Sequence, residues 1–181
     1  IYGARDWPAS LKVSDPGLRR MRISETVPAP EHLLHVDFNG WLGAAVTSLG
    51  DWNGDGYPDF AVGAPRQFQR FGRRTGAAYL VWGGPGLPDS AKDEDVGTAI
   101  LPGARILGKA SSWELGGALD ASGDFDGDGS LDLLLLSNPN HPPTADGTPR
   151  EEAVLYVLSR GALEDFRLCA VDPSDGSVEG G

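Results

Sequence analysis

The sequence predicts an all-β fold of short antiparallel strands, and three observations carry that prediction. Short apolar runs are separated by turn-forming residues, of which the 181-residue chain has 26 glycines and 14 prolines. A stretch of the chain recurs 73 residues further on. At the same point of each copy lies a loop in which aspartates alternate with glycine or asparagine.

The duplication sets the order of the elements. Residues 41–64, WLGAAVTSLGDWNGDGYPDFAVGA, align without gaps to residues 114–137, ELGGALDASGDFDGDGSLDLLLLS, with nine identities in 24 positions. Chance would give about two. Downstream, GAAYLVWGGPGL (76–87) aligns with EAVLYVLSRGAL (152–163) at an offset of 76. In the first copy the apolar runs fall near 44–49, 58–64, 76–83 and 104–108, and in the second near 117–122, 131–137, 153–159 and 166–171. Their lengths suit strands, and the Gly, Pro and Asp between them would break helices. LDLLLLS (131–137) is apolar enough for a helix, but it is seven residues long and its partner is PDFAVGA, so it is read as a strand.

Four short strands joined by tight connections make an antiparallel meander, the unit of a β-propeller blade. The expected organisation is an N-terminal segment, 1–35, then blade one over 36–108 and blade two over 109–181 with a C-terminal tail. Propellers generally need at least four blades, so the chain is expected to be a partial propeller of two clear blades. Residues 1–35 are candidate strands of a degenerate further blade.

Each acidic loop has the form D-x-[DN]-x-D-G-x-x-D. The first carries Asp51, Asn53, Asp55, Gly56 and Asp59, and the second Asp124, Asp126, Asp128, Gly129 and Asp132. Oxygens at positions 1, 3 and 5 can converge if the chain curls, and the glycine at position 6 permits the sharp turn. Position 7 can present a main-chain carbonyl, from Tyr57 or Ser130, and the Asp at position 9 closes the shell. That donor set matches calcium, which takes six to eight oxygens at about 2.3–2.6 Å, better than magnesium, which demands tight octahedral geometry. Two bound calcium ions are expected. Without a cation the crowded acids repel one another. A metal-free Asp-Gly turn would need one Asp or Asn beside a Gly, not four such groups. An EF-hand would need an acid at position 12, where this chain has Val62 and Leu135. The second loop has four carboxylates and the first three, so the second is expected to bind more tightly.

These residues resemble FG-GAP repeats, the blades of integrin α-subunit propellers and of many bacterial surface proteins. The first copy, WLG (41–43), GDWNGDGYPDFAVGAP (50–65) and GAAYLVWGG (76–84), is similar to the full pattern. The second, ELG (114–116) with GDFDGDGSLDLLLLSNP (123–139), keeps the acidic loop and lacks Gly-Ala-Pro; the pattern's Phe is replaced by Leu42 and Leu115. The resemblance implies a propeller with structural calcium between the first two strands of each repeat, closing with about seven blades.

Function classes narrow accordingly. A net charge of −11 disfavours nucleic acid as a partner. No apolar run approaches the roughly 20 residues a membrane helix needs. The single cysteine, Cys169, excludes an intrachain disulfide and reads as a small buried hydrophobe. The chain begins at Ile1, which hints at a processed or truncated N-terminus. His32 and His35 form H-x-x-H without the HExxH context, His141 stands alone, and no nucleophile elbow, P-loop or dinucleotide fingerprint occurs. The expectation is a non-enzymatic, calcium-binding interaction, adhesion or assembly module, extracellular, at the cell surface or periplasmic. The alternative is the non-catalytic propeller region of a secreted phospholipase-type hydrolase. Loops 66–75 and 138–152 are candidate partner-facing loops on the rim opposite the acidic loops; the first holds Arg66, Arg70, Arg73 and Arg74 with Phe68 and Phe71. Trp52 and Phe125 occupy equivalent loop positions and are expected to share a structural role.

Overall fold

Apolar residues between turns give strands across the described residues, as expected. The computed structural model describes residues 21–26, 40–69, 73–108, 114–137 and 153–160. In chain order the strands are β1 (Arg22–Ser24), β2 (Ala45–Gly50), β3 (Asp59–Ala64), β4 (Phe68–Gln69), β5 (Arg73–Arg74) and β6 (Ala77–Val81). They continue with β7 (Ser90–Lys92), β8 (Gly103–Leu107), β9 (Leu115–Gly123), β10 (Asp132–Ser137) and β11 (Val154–Leu158).

β2, β3, β6 and β8 form a four-stranded antiparallel meander, the first blade. β9, β10 and β11 form the first three strands of a second. The run at 166–171, loop 138–152 and residues His32, His35, His141 and Cys169 lie outside the described residues. Loop 66–75 is not wholly irregular: β4 and β5 pair within it as a two-residue ladder. Its Arg66 stacks 3.9 Å above the Trp41 ring, so this cation already has an aromatic partner.

Strand pairing corrects one alignment. Phe60 pairs with Val81, and its counterpart Leu133 pairs with Leu158. The third strands therefore correspond at an offset of 77, not 76, and Tyr156 takes the place of Tyr79. A shift of one residue exchanges the two faces of a strand. Pairing across the sheet decides that register, and an apolar run such as VLYVL matches either offset by composition.

The two sheets stack face to face. Ala61, Ala78 and Leu80 of the first blade pack with Leu115, Ala121, Leu133 and Leu135 of the second, joined by Leu49 and Trp52. One close approach is at Gly63, where a Cβ would strike the carbonyl of Gly116. The Gly-Ala-Pro of the first repeat thus meets the Leu-Gly of the second, Leu115–Gly116, and only a residue without a side chain lets the backbones come this near.

The opposite face of blade one is covered from within the chain. Ala64, Ala77, Tyr79 and Val81 are buried with Ala91, Val96 and Leu101 of the β6–β8 connection, and Met21 and Ile23 pack against them. β1 runs parallel to β7 in that cover. Asp93 ties it down, accepting from the Tyr79 hydroxyl at 3.0 Å and from the Thr26 N–H at 2.6 Å. Burial, and then the adjacent Asp93 carboxylate, push the Tyr79 phenol well above its ordinary pKa. Blade two has no comparable cover among the described residues: Leu155 and Val157 are exposed on its far face.

Candidate metal centre

Both acidic loops join the first two strands of a blade, β2 to β3 and β9 to β10, and fold alike. Gly56 and Gly129 at position 6 have φ of 91° and 89°, the left-handed region glycine enters freely. The position-1 carboxylate accepts the position-6 N–H in each, Gly56 to Asp51 and Gly129 to Asp124, both at 2.9 Å. The position-5 carboxylate accepts the position-7 N–H, Tyr57 to Asp55 at 2.9 Å and Ser130 to Asp128 at 2.7 Å. The position-9 carboxylate accepts two more: Trp52 and Asn53 donate to Asp59, Phe125 and Asp126 to Asp132. These bonds curl the loop and orient its acids, and each carboxylate keeps at least one acceptor site.

The loops then diverge. In loop two one oxygen from each of Asp124, Asp126 and Asp128 lies within 4.8 Å of the others. Two oxygens about 2.4 Å from one calcium ion are at most about 4.8 Å apart, so the spacing admits a shared ion. Asp132 is not one of the three that converge; it is wholly buried, and its Oδ1 has no hydrogen-bond partner among the described residues. A buried carboxylate oxygen without a donor is costly, and a cation would relieve it. The donor set of loop two therefore fits calcium.

Loop one satisfies its acids differently. Asn53 stands at position 3 and donates its side-chain amide to Asp55 Oδ2 at 2.9 Å. Asp59, 1% exposed, spends both oxygens on the backbone: Oδ2 on Trp52 and Asn53, and Oδ1 on the Gly83 N–H at 2.8 Å. Gly83 lies just beyond β6, and no local pattern announced this bond. Asp51, Asp55 and Tyr57 remain exposed at the loop's surface.

The expected equivalence of Trp52 and Phe125 does not hold. Trp52 is 3% exposed and inserted between the blades, whereas Phe125 is 60% exposed. The Phe125 ring folds back over Gly123, where a Cβ would lie 2.8 Å from its Cζ. Trp52 has a second blade to pack against; Phe125 has none among the described residues.

Two stacked antiparallel meanders, each carrying an acidic loop between its first and second strands, define an all-β protein of the β-propeller-blade class. Residues 43–81 match the FG-GAP repeat model, so the chain contains an FG-GAP repeat. It is 38% identical over 85 residues to integrin alpha-PS2 of Drosophila melanogaster, covering 47% of this chain and 6% of that protein. Integrin alpha-M of Mus musculus is 36% identical over 110 residues, 58% of this chain and 8% of the integrin. Phosphatidylinositol-glycan-specific phospholipase D of Rattus norvegicus is 30% identical over 143 residues, 78% of this chain and 15% of the enzyme. The chain spans only a small fraction of each of these relatives. Among the described residues no helix is long and apolar enough to cross a membrane.

Proposed function

We propose that the chain is a calcium-binding FG-GAP propeller module that acts outside the cytoplasm in protein–protein interaction, adhesion or complex assembly. One ion would be held by Asp51, Asn53, Asp55, Asp59 and the Tyr57 carbonyl. A second would be held by Asp124, Asp126, Asp128, Asp132 and the Ser130 carbonyl. The observation that carries the reading is the convergence of three carboxylates in loop two, together with a buried Asp132 oxygen that has no partner among the described residues. A bound calcium ion would supply the positive charge that such a cluster lacks. The module has no catalytic role in this reading. Blades one and two are taken as 36–108 and 109–181, and the uncovered face of blade two as the seat of a further blade, from the same longer protein or another chain.

Calorimetric titration with calcium tests the reading directly. The intact chain should bind two ions, and Asp124→Ala should remove the tighter step while Asp51→Ala removes the weaker. Equal losses would reject the ranking. A melting temperature unmoved by EDTA would reject calcium altogether, because a ligand that binds only the folded state must raise it.

A second reading has its own support. The match to phosphatidylinositol-glycan-specific phospholipase D extends over more of this chain than the integrin matches do. In that reading the blades are a non-catalytic region of a secreted hydrolase. The sequence of the complete gene product separates the two, since a hydrolase requires a catalytic domain elsewhere in it.

A further inference from the structure

We propose that Arg160 is a built-in counter-cation for loop one, stabilising that loop without metal and lowering its calcium affinity relative to loop two. This rests on the calcium reading above.

Arg160 follows β11 in blade two, while loop one belongs to blade one, so their contact crosses the blade junction. The guanidinium lies directly over Gly54: a Cβ there would collide with one terminal nitrogen and stand 3.4 Å from Cζ. Gly54 has φ of 79° and sits between Asn53 and Asp55, two of the loop's proposed ligands. The equivalent position in loop two, Gly127, has nothing among the described residues within 4 Å of a Cβ. The same loop therefore occurs twice in one chain, once with a fixed positive charge against it and once open.

Arg160 makes no ion pair within 4.0 Å with Asp51, Asp55 or any other acid among the described residues, so its charge acts on the loop at longer range. Among the described residues the one ion pair is Lys92 with Glu94 at 3.6 Å. A guanidinium carries its charge with or without a metal, and from its seat on Gly54 its field opposes the repulsion among the loop's acids. An arriving divalent ion meets that charge as a like charge. Loop one also begins with one carboxylate fewer, Asn53 replacing the acid found at Asp126. Both features act in the same direction. Loop two then depends on its ion, while loop one is held by the neighbouring blade and responds to calcium only at higher concentration.

The test is a calcium titration of the chain with loop two silenced by Asp124→Ala and Asp126→Ala, with and without Arg160→Met. Methionine keeps an aliphatic stem and removes the charge. Loop one's affinity should rise roughly three- to tenfold, less at high salt, and Arg160→Lys should leave it low. In the metal-free chain Arg160→Met should lower the melting temperature by about 2–4 °C, and calcium should restore it. An unchanged affinity at loop one overturns the proposal, as does an equal rise at loop two measured with Asp51→Ala. If the parent chain binds no calcium at all, the function proposed above falls. The counter-cation is then judged by metal-free melting in low salt, where an unmoved melting temperature in Arg160→Met overturns it.

Discussion

Trp52 and Phe125 sit 73 residues apart at the same point of the same loop, yet one is buried and the other exposed. The difference lies in what stands opposite. Blade two presents Leu133, Leu135 and Ala121 to the indole, and no described residue does the same for the phenyl ring. Truncation should separate them. Trp52→Ala should cost about 3–5 kcal/mol, the usual penalty for emptying a large aromatic site. Phe125→Ala should stay within about 0.5 kcal/mol, as surface changes do. Urea unfolding of both variants is the measurement, and similar losses would mean that the loops share one role after all. The acids show a comparable asymmetry: Asp59 is satisfied by Gly83, whereas one oxygen of Asp132 is left bare. Both aspartates were legible in the sequence as loop residues; their different partners were not.

At the scale of elements, the connection from β6 to β8 has a role that its polar composition concealed. Instead of a plain loop it provides β7, a 3-10 turn at Asp93–Asp95 and the buried Val96 and Leu101, which close one face of blade one. Asp93 is buried where Tyr79 and Thr26 both donate to it. The raised Tyr79 pKa has a direct consequence for stability. Below pH 10 the phenol is protonated in both folded and unfolded chains and contributes no pH dependence. Above pH 10 the unfolded chain loses that proton and the folded one keeps it, so stability falls with rising pH, by up to about 1.4 kcal/mol per unit. Tyr79→Phe should flatten that part of the profile between pH 10 and 11.5 in denaturant titrations, at the cost of the Asp93 hydrogen bond at neutral pH. A slope unchanged by the substitution would show that another group governs the alkaline limb.

For the whole molecule, the two blade faces that meet and the one left open follow a single rule. The face of blade one formed by Ala61, Ala78 and Leu80 packs against blade two. The corresponding face of blade two carries Leu155 and Val157, both exposed. Stacked repeats bury their faces only against neighbours, so this isolated chain should self-associate or bind a partner through that surface. Light scattering should show species larger than the monomer, and Leu155→Lys with Val157→Lys should return the monomer without lowering the melting temperature. A stable monomer of the parent chain, with no partner, would remove the basis for a further blade on this face.

By itself the sequence determined the strand content, the two repeats, the position of each acidic loop and the residues that furnish its oxygens. All of these are patterns of a few neighbouring residues, set by backbone sterics and side-chain alternation. Tertiary structure alone decided the 77-residue register of the third strand, the burial of Trp52 but not Phe125, the Gly83 bond to Asp59 and the seat of Arg160 on loop one. Each of these depends on how one sheet lies against another or on a partner remote in sequence. Nothing local to either partner encodes such a contact, because its energy exists only once the blades are stacked.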